Sequence, residues 1–183
     1  KAKKIRRAAK YAVAVLIIAA LLYLVITSLS SSPAAKARIG LGPVGSQHVH
    51  ADFKVYLDNR AADFSQPRYQ VRAQHVHVEG GDGDVIHIHA TGVKIGYFFS
   101  TLGMKFNSTC FAIESRSYCN DGSKTLNFFV NGVPAGELED YLLQSMDKIL
   151  ISYGNETNLE SQFSSITSKG EALDTGKVPL PMR

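Results

Sequence analysis

Sulfur is scarce in this chain, and charge is withheld from one long stretch of it. The 183 residues hold two cysteines and three methionines. No Cys-x-x-Cys pair occurs, which excludes the low-pKa dithiol of a disulfide oxidoreductase. There is no glycine loop that cradles phosphate, no nucleophile with a neighbouring base, and no pair of carboxylates spaced for acid-base catalysis. Nor is there an internal repeat of solenoid period. No charge falls between Tyr11 and Ser30, and no acidic residue precedes that run. The formal charge of +4 is therefore misleading, because six of the twenty basic residues (Lys1, Lys3, Lys4, Arg6, Arg7 and Lys10) lie ahead of it. The rest of the chain carries fourteen basic against sixteen acidic residues, a net −2, which argues against nucleic acid as a partner.

The twenty uncharged residues are rich in Ala, Val, Leu and Ile and are long enough, as a helix, to cross the hydrocarbon core of a bilayer. The basic cluster ahead of them holds its end in the cytoplasm and places the bulk of the chain outside. Ala35-Lys-Ala37 has the small-residue pattern of a signal-peptide cleavage site, but the apolar run is long for a signal peptide. The expected organisation is a cytoplasmic basic cap at 1–10, a transmembrane signal anchor at 11–30 and a Ser, Ala, Gly and Pro-rich stalk at 31–46. An extracytoplasmic α+β domain follows at 47–154, then a polar tail at 155–183 that docks on this domain or on a neighbouring subunit. At 45% hydrophobic and 20% charged residues, the composition is that of a globular protein. Outside the cell, Cys110 and Cys119 are expected to form a disulfide clamping a hairpin. Asn107-Ser-Thr109 and Asn155-Glu-Thr157 have the pattern of glycosylation acceptors in that compartment.

All six histidines fall in three His-x-His pairs. In His48-Val-His50-Ala-Asp52-Phe-Lys54-Val-Tyr56-Leu57, the residues of one parity are apolar and those of the other carry both imidazoles, the pattern of a half-buried strand. The run His75-Val-His77-Val-Glu79-Gly-Gly-Asp-Gly-Asp84-Val-Ile-His87-Ile-His89 reads as two strands joined by a turn. A three-residue loop at Gly81, Asp82 and Gly83, with Gly83 left-handed, sets His77 opposite His87 and His75 opposite His89. The expected ligand set is His48, His50, His75, His77, His87 and His89, with Asp52 and Glu79 on the same face as ligands or as supports for a ring. With no soft sulfur among them, the set suits copper or zinc. Hydrogen-bonded histidines in a polar core or an interface, and pH sensing, stay open as other uses of the same residues.

Elsewhere the pattern predicts a short strand at Tyr69–Ala73 and an amphipathic helix from Ile95, Phe98, Phe99 and Leu102, ended by Gly103. It predicts strands at Phe106–Ile113, Leu126–Val130 and Lys148–Tyr153, turns at Asn120–Gly122 and Asn131-Gly132, and a helical turn within Leu138–Leu143. One helix on a mixed sheet is an α+β domain. The passage from Leu126-Asn-Phe-Phe-Val-Asn-Gly132 to Asp147-Lys-Ile-Leu-Ile-Ser-Tyr-Gly154 resembles the closing strands of β-grasp domains of the ubiquitin-like and transcobalamin-like kind. More of the chain, from His48-Val-His-Ala-Asp-Phe53 through Ile95-Gly-Tyr-Phe-Phe99 to Tyr153-Gly154, is similar to extracytoplasmic proteins of ammonia-oxidising archaea, some of them labelled disulfide isomerases. That resemblance implies an outer compartment, copper-heavy metabolism and a membrane complex such as ammonia monooxygenase as neighbour.

Three functions from different classes are compatible with these residues. They are a membrane-anchored metal-binding module, a non-catalytic accessory subunit of a membrane complex, and a cupin-like metalloenzyme. His75-x-His77-x-Glu79 and Gly83-Asp-Val-Ile-His87 resemble cupin motifs, although the acidic residue follows the histidine pair too closely and a helix interrupts the strands.

Overall fold

The computed structural model describes residues 14–27, 40–136, 139–155 and 158–177. Contacts divide the chain into Lys1–Ile39 and Gly40–Arg183. In the first unit, residues 14–27 are helical, and their apolar side chains, including Leu16, Ile18, Leu21 and Leu22, are exposed. Among the described residues no helix is long and apolar enough to cross a membrane. The ends of the expected span, 11–13 and 28–30, lie outside the described residues, as do the basic cap at 1–10 and residues 31–39.

The second unit is α+β. A seven-stranded mixed sheet has the order β3 (Val76–His77), β4 (Val85–Ile88), β1 (Val49–Leu57), β10 (Lys148–Gly154), β8 (Thr125–Val130), β9 (Val133–Pro134), with β2 (Arg60–Ala61) pairing at the end of β1. A small antiparallel sheet contains β5 (Lys105–Phe106), β6 (Cys110–Ile113) and β7 (Arg116–Cys119). The helices are α1 (Ile95–Thr101), α2 (Leu159–Ser164) and α3 (Lys169–Asp174).

β1 and β10 run parallel at the centre, with Phe53 opposite Ile149 and Val55 opposite Ile151. Ile149, Leu150, Ile151, Ser152 and Tyr153 are all buried. Such a run without alternation is what a strand needs when both faces of its sheet are covered. On one face lies an aromatic core. The ring of Phe53 is 5.0 Å from Phe64 and 5.4 Å from Phe98, and Phe99 is 5.0 Å from Phe111 and 5.3 Å from Phe106. Each such pair adds about 0.5–1.5 kcal/mol beyond the area it buries. On the other face lie α2 and α3. The Tyr56 hydroxyl is 2.8 Å from Ser165 Oγ, and Lys148 Nζ donates to Ser168 Oγ at 2.7 Å. The segment expected as a polar tail is thus, over residues 158–177, a second layer docked on its own domain.

α1 has no side-chain cap at its start. Its first amide groups donate instead to the chain at 139–141: Ile95 N to Tyr141 O at 2.9 Å and Gly96 N to Glu139 O at 3.0 Å. A Cβ at position 96 would sit 2.6 Å from that Glu139 oxygen, so only glycine allows the approach. Gly103 ends the helix at φ 76°, and Asn131 and Gly132, both with positive φ, form the tight turn after β8.

Several elements differ from expectation. Tyr69–Ala73 is not a strand: a short 3-10 helix covers Pro67–Tyr69, with proline at its start, and Gln70 makes a lone bridge to Val78. The strand expected at Phe106–Ile113 divides around Asn107, whose Oδ1 accepts from Thr109 N at 3.0 Å and Cys110 N at 2.8 Å, a local turn that competes with the ladder. Residues 139–143 show no helical turn, because Leu142 bridges to Lys94; Leu138 lies outside the described residues. In the histidine hairpin the left-handed residues are Gly80 and Gly81, and Gly83 serves another purpose. A Cβ there would meet Ser65 N at 2.3 Å. Residues 42 and 45, expected in the stalk, belong to the domain, donating to Thr91 O at 2.8 Å and His89 O at 2.6 Å.

Cys110 and Cys119 face each other across β6 and β7 and form the disulfide, with Cα atoms 4.1 Å apart. Closing so short a loop restricts the unfolded chain by about 2–3 kcal/mol. Reduction should therefore lower the urea-unfolding free energy by about that amount, and equal stabilities with and without reductant would contradict the clamp.

Candidate metal centre

The register of three antiparallel strands assembles the imidazoles. β1 pairs with β4 so that His50 lies opposite His87, and β4 pairs with β3 so that His87 lies opposite His77. One step along, His89 N donates to His75 O at 2.8 Å. All these residues have the parity that points away from Ala51, Phe53, Val76, Ile86 and Ile88, which are buried in or beside the aromatic core. Five rings form a contiguous patch. His50 and His87 are 4.6 Å apart between centroids, His48 and His89 4.7 Å, His77 and His89 4.9 Å, and His48 and His50 5.0 Å. His77 stacks on His87 at 6.0 Å. His75 sits apart from this patch, just before β3 begins, with its ring 6.3 Å from Tyr97 of α1.

Within the patch, ligand atoms of His48, His50 and His87 all lie within 4.8 Å of one another. A tetrahedral ion holds its nitrogens about 3.3 Å apart, so small side-chain rotations bring three imidazoles onto one cation. The burial is graded: His50 is buried, His87 intermediate and His48 exposed. The group thus runs from the buried His50 to the exposed His48, and three nitrogens would leave a fourth position of a tetrahedral ion for solvent or an exchanging ligand.

The buried end is held by the carboxy-terminal segment. His50 Nδ1 lies 2.5 Å from Asp174 Oδ1, and His50 N donates to Asp174 Oδ2 at 3.1 Å. A carboxylate can only accept, so Nδ1 carries a proton, and Nε2 is the His50 nitrogen left for a cation. Ser145 Oγ also donates to Asp174. Burial pushes the Asp174 carboxyl up, but the hydrogen bonds from Ser145 and His50 together outweigh it and hold the group below the usual carboxylate range. Nothing local in the sequence marks Asp174, which lies 124 positions from His50.

Asp52, expected on the histidine face as a ligand or support, is there but otherwise engaged. It is 1% exposed and accepts from Lys169 N at 3.0 Å, from Gly170 N at 2.8 Å and from the Thr167 hydroxyl. It satisfies the free amide groups at the start of α3 and so is not a ligand in this arrangement. A Cβ at Gly170 would come 2.8 Å from Asp52 Oδ2, so this glycine lets α3 press onto β1.

Glu79 stands at the rim, with one oxygen 3.2 Å from His77 Nε2 and the other 3.5 Å from His87 Nδ1. The other nitrogen of His77 is 2.7 Å from Ala73 O. Placed between Ala73 O and Glu79, His77 lies outside the group of His48, His50 and His87 and, like Glu79, borders the patch from the side. Lys54 pairs with Asp84 at 2.6 Å, and Lys169 with Asp82 at 2.7 Å. These four residues line a cleft of about 510 Å³ that contains no imidazole. The acceptor residues Asn107 and Asn155 are both exposed; Glu156 and Thr157 lie outside the described residues.

Burial pushes His87 down to about 4, against the opposing pull of Glu79, with His50, His77 and His89 adding to the depression. His89 is lowered for the same reason, burial first and then the neighbouring imidazoles. Both rings are neutral at pH 7, the form that binds a cation.

Searches among protein families, curated proteins and solved structures found no match to this chain. The site's chemistry therefore stands on the geometry alone.

For His87 the folded-state value near 4 lies below the ordinary 6.5, so protonation favours the unfolded chain. The stability this neutral ring contributes is complete above pH 6.5 and is lost as pH falls towards 4. In metal-free protein the urea midpoint should decline across that window, and His87→Gln should flatten the decline. A wild-type midpoint unchanged between those two values would contradict the assignment.

Proposed function

We propose that this protein is a membrane-anchored, extracytoplasmic metal-binding module that holds a copper or zinc ion through His48, His50 and His87. The observation that carries this reading is the convergence of three ligand atoms within 4.8 Å, from β1, β4 and the residue just before β1. An all-nitrogen set without thiolate suits Cu(II) or Zn(II). An open fourth position suits an ion that is held for exchange or passed on, or one that activates water. The reading is one of binding, because the observation in hand is a set of converging ligand atoms.

The disulfide supports an oxidising compartment. Anchorage rests on the basic cap, the uncharged run 11–30 and the exposed apolar side chains of the helical residues 14–27, which require lipid or protein cover. The parallel pair β1 and β10, flanked antiparallel by β4 and β8 with α1 between β4 and β8 in sequence, supports the reading of a β-grasp core, to which β3 and the α2–α3 layer would be additions. A cupin-type enzyme is less favoured, because a mixed sheet with a parallel centre is unlike the all-β barrel of cupins. The exposed apolar helix also favours a second reading, an accessory subunit of a membrane complex such as archaeal ammonia monooxygenase. Purification in mild detergent as a solitary monomer would count against that.

The deciding measurement is isothermal titration of tag-free protein with Zn(II) and Cu(II), together with element-resolved metal content after purification. Binding tighter than micromolar is expected, weakened at least about a hundredfold by His50→Ala or His87→Ala and unchanged by His75→Ala. Micromolar or weaker binding that ignores both ligand changes would end the proposal.

A further inference from the structure

The buried end of the metal site is built by residues from the far end of the chain. α3 is six residues long, and its first amide groups are accepted by Asp52, a buried carboxylate on β1 two residues from His50. Its last residue, Asp174, returns to β1 and takes both the backbone amide and the ring Nδ1 of His50. The helix is therefore pinned at its two ends to the strand that carries His50 and directly follows His48. Gly170 supplies the clearance between the pins: a Cβ there would lie 3.3 Å from His50 Cβ. The acceptor beside the ring nitrogen opposite a metal-binding nitrogen sets tautomer, orientation and basicity, and its loss typically costs about ten- to a hundredfold in metal affinity.

We infer that the carboxy-terminal helix is a working part of the metal centre, with Asp174 the positioning residue for His50, so that metal binding and docking of residues 167–174 reinforce one another. The inference rests on the proposed His48, His50 and His87 site. Linkage makes it reciprocal: the factor by which a docked α3 raises metal affinity equals the factor by which bound metal favours docking. Sequence distance is what makes the device useful. His50 and His87 are brought together by the pairing of β1 with β4, whereas the orientation of the His50 ring depends on a helix more than a hundred residues further along the chain. A signal that lifts α3 away, such as a competing partner surface, would release the ion without unfolding the sheet.

The test uses the full chain in detergent, stripped with chelator and then titrated with Zn(II). Trypsin cleavage after Lys169 and Lys177, timed by mass spectrometry, reports docking. Zn(II) should slow cleavage after Lys169 about tenfold, on the order of the affinity factor expected for a supporting carboxylate, and should have no such effect in His48→Ala, which lacks a ligand but keeps every pin of the helix. Asp174→Asn should weaken Zn(II) binding about ten- to a hundredfold and change the Cu(II) electron paramagnetic resonance spectrum, which a purely structural role would leave alone. Asp52→Asn, which touches no imidazole, should weaken Zn(II) binding as well. If wild type binds Zn(II) tightly but Asp174→Asn and Asp52→Asn bind within twofold of it and no bond is protected, the coupling is overturned while the metal site stands. If wild type binds neither Zn(II) nor Cu(II), the site itself falls and the coupling with it. Should Asp174→Asn fail to fold, the comparison of wild type with His48→Ala decides alone.

Discussion

The register between β1 and β4 is the constraint on which the site depends. His50 stands opposite His87 because Ala51 stands opposite Ile86 and Val49 opposite Ile88. A slip of one residue would turn the imidazoles into the aromatic core and expose the aliphatic side chains. Fully burying each large apolar residue contributes about 1.5–3 kcal/mol, and Phe53, Val55, Ile86 and Ile88 are all essentially inaccessible. The core therefore holds the register, and the register holds the imidazoles.

The polar face solves a different problem. Taking Asp52 and His50 out of water is costly unless each finds partners. Asp52 is matched with three donors from residues 167–170, and His50 with the two oxygens of Asp174. Hydrogen bonds to an ionised carboxylate are roughly twice as strong as neutral ones. The polar segment is docked by these hydrogen bonds, and Leu159 and Phe163 line a common cavity with Leu150. The second layer both covers a strand that has no free face and orients a ring. Fold stability and site geometry are thereby carried by the same few bonds.

Much of the fold was legible from local pattern. The alternation in β1, the helical stripe at Ile95, Phe98 and Phe99, the Asn131-Gly132 turn and the pairing of Cys110 with Cys119 each rest on backbone geometry that neighbouring residues dictate. The misreading of the histidine hairpin has a cause that lies elsewhere in the chain. Gly83 looked like a turn glycine, yet its lack of a side chain serves the approach of residues 64 and 65, which belong to another part of the chain. Gly96 and Gly170 serve similar approaches to 139 and to Asp52. A glycine that avoids a clash and a glycine that adopts positive φ are identical in sequence.

The amino-acid sequence by itself determined which side chains share a face, because strand parity is a property of the backbone and requires no partner. It thereby determined that imidazoles would lie opposite the apolar core, and its two cysteines left one possible disulfide. Only the tertiary structure decided which imidazoles meet and what each ring nitrogen faces. His75 diverges to Tyr97, His77 lies between Ala73 O and Glu79, and Asp52 turns from ligand to helix cap. It also decided that Asp174 orients His50 across 124 positions of chain. The physical reason is range: parity acts over two residues, whereas the direction of a lone pair is set by whichever donor or acceptor the whole fold brings alongside it.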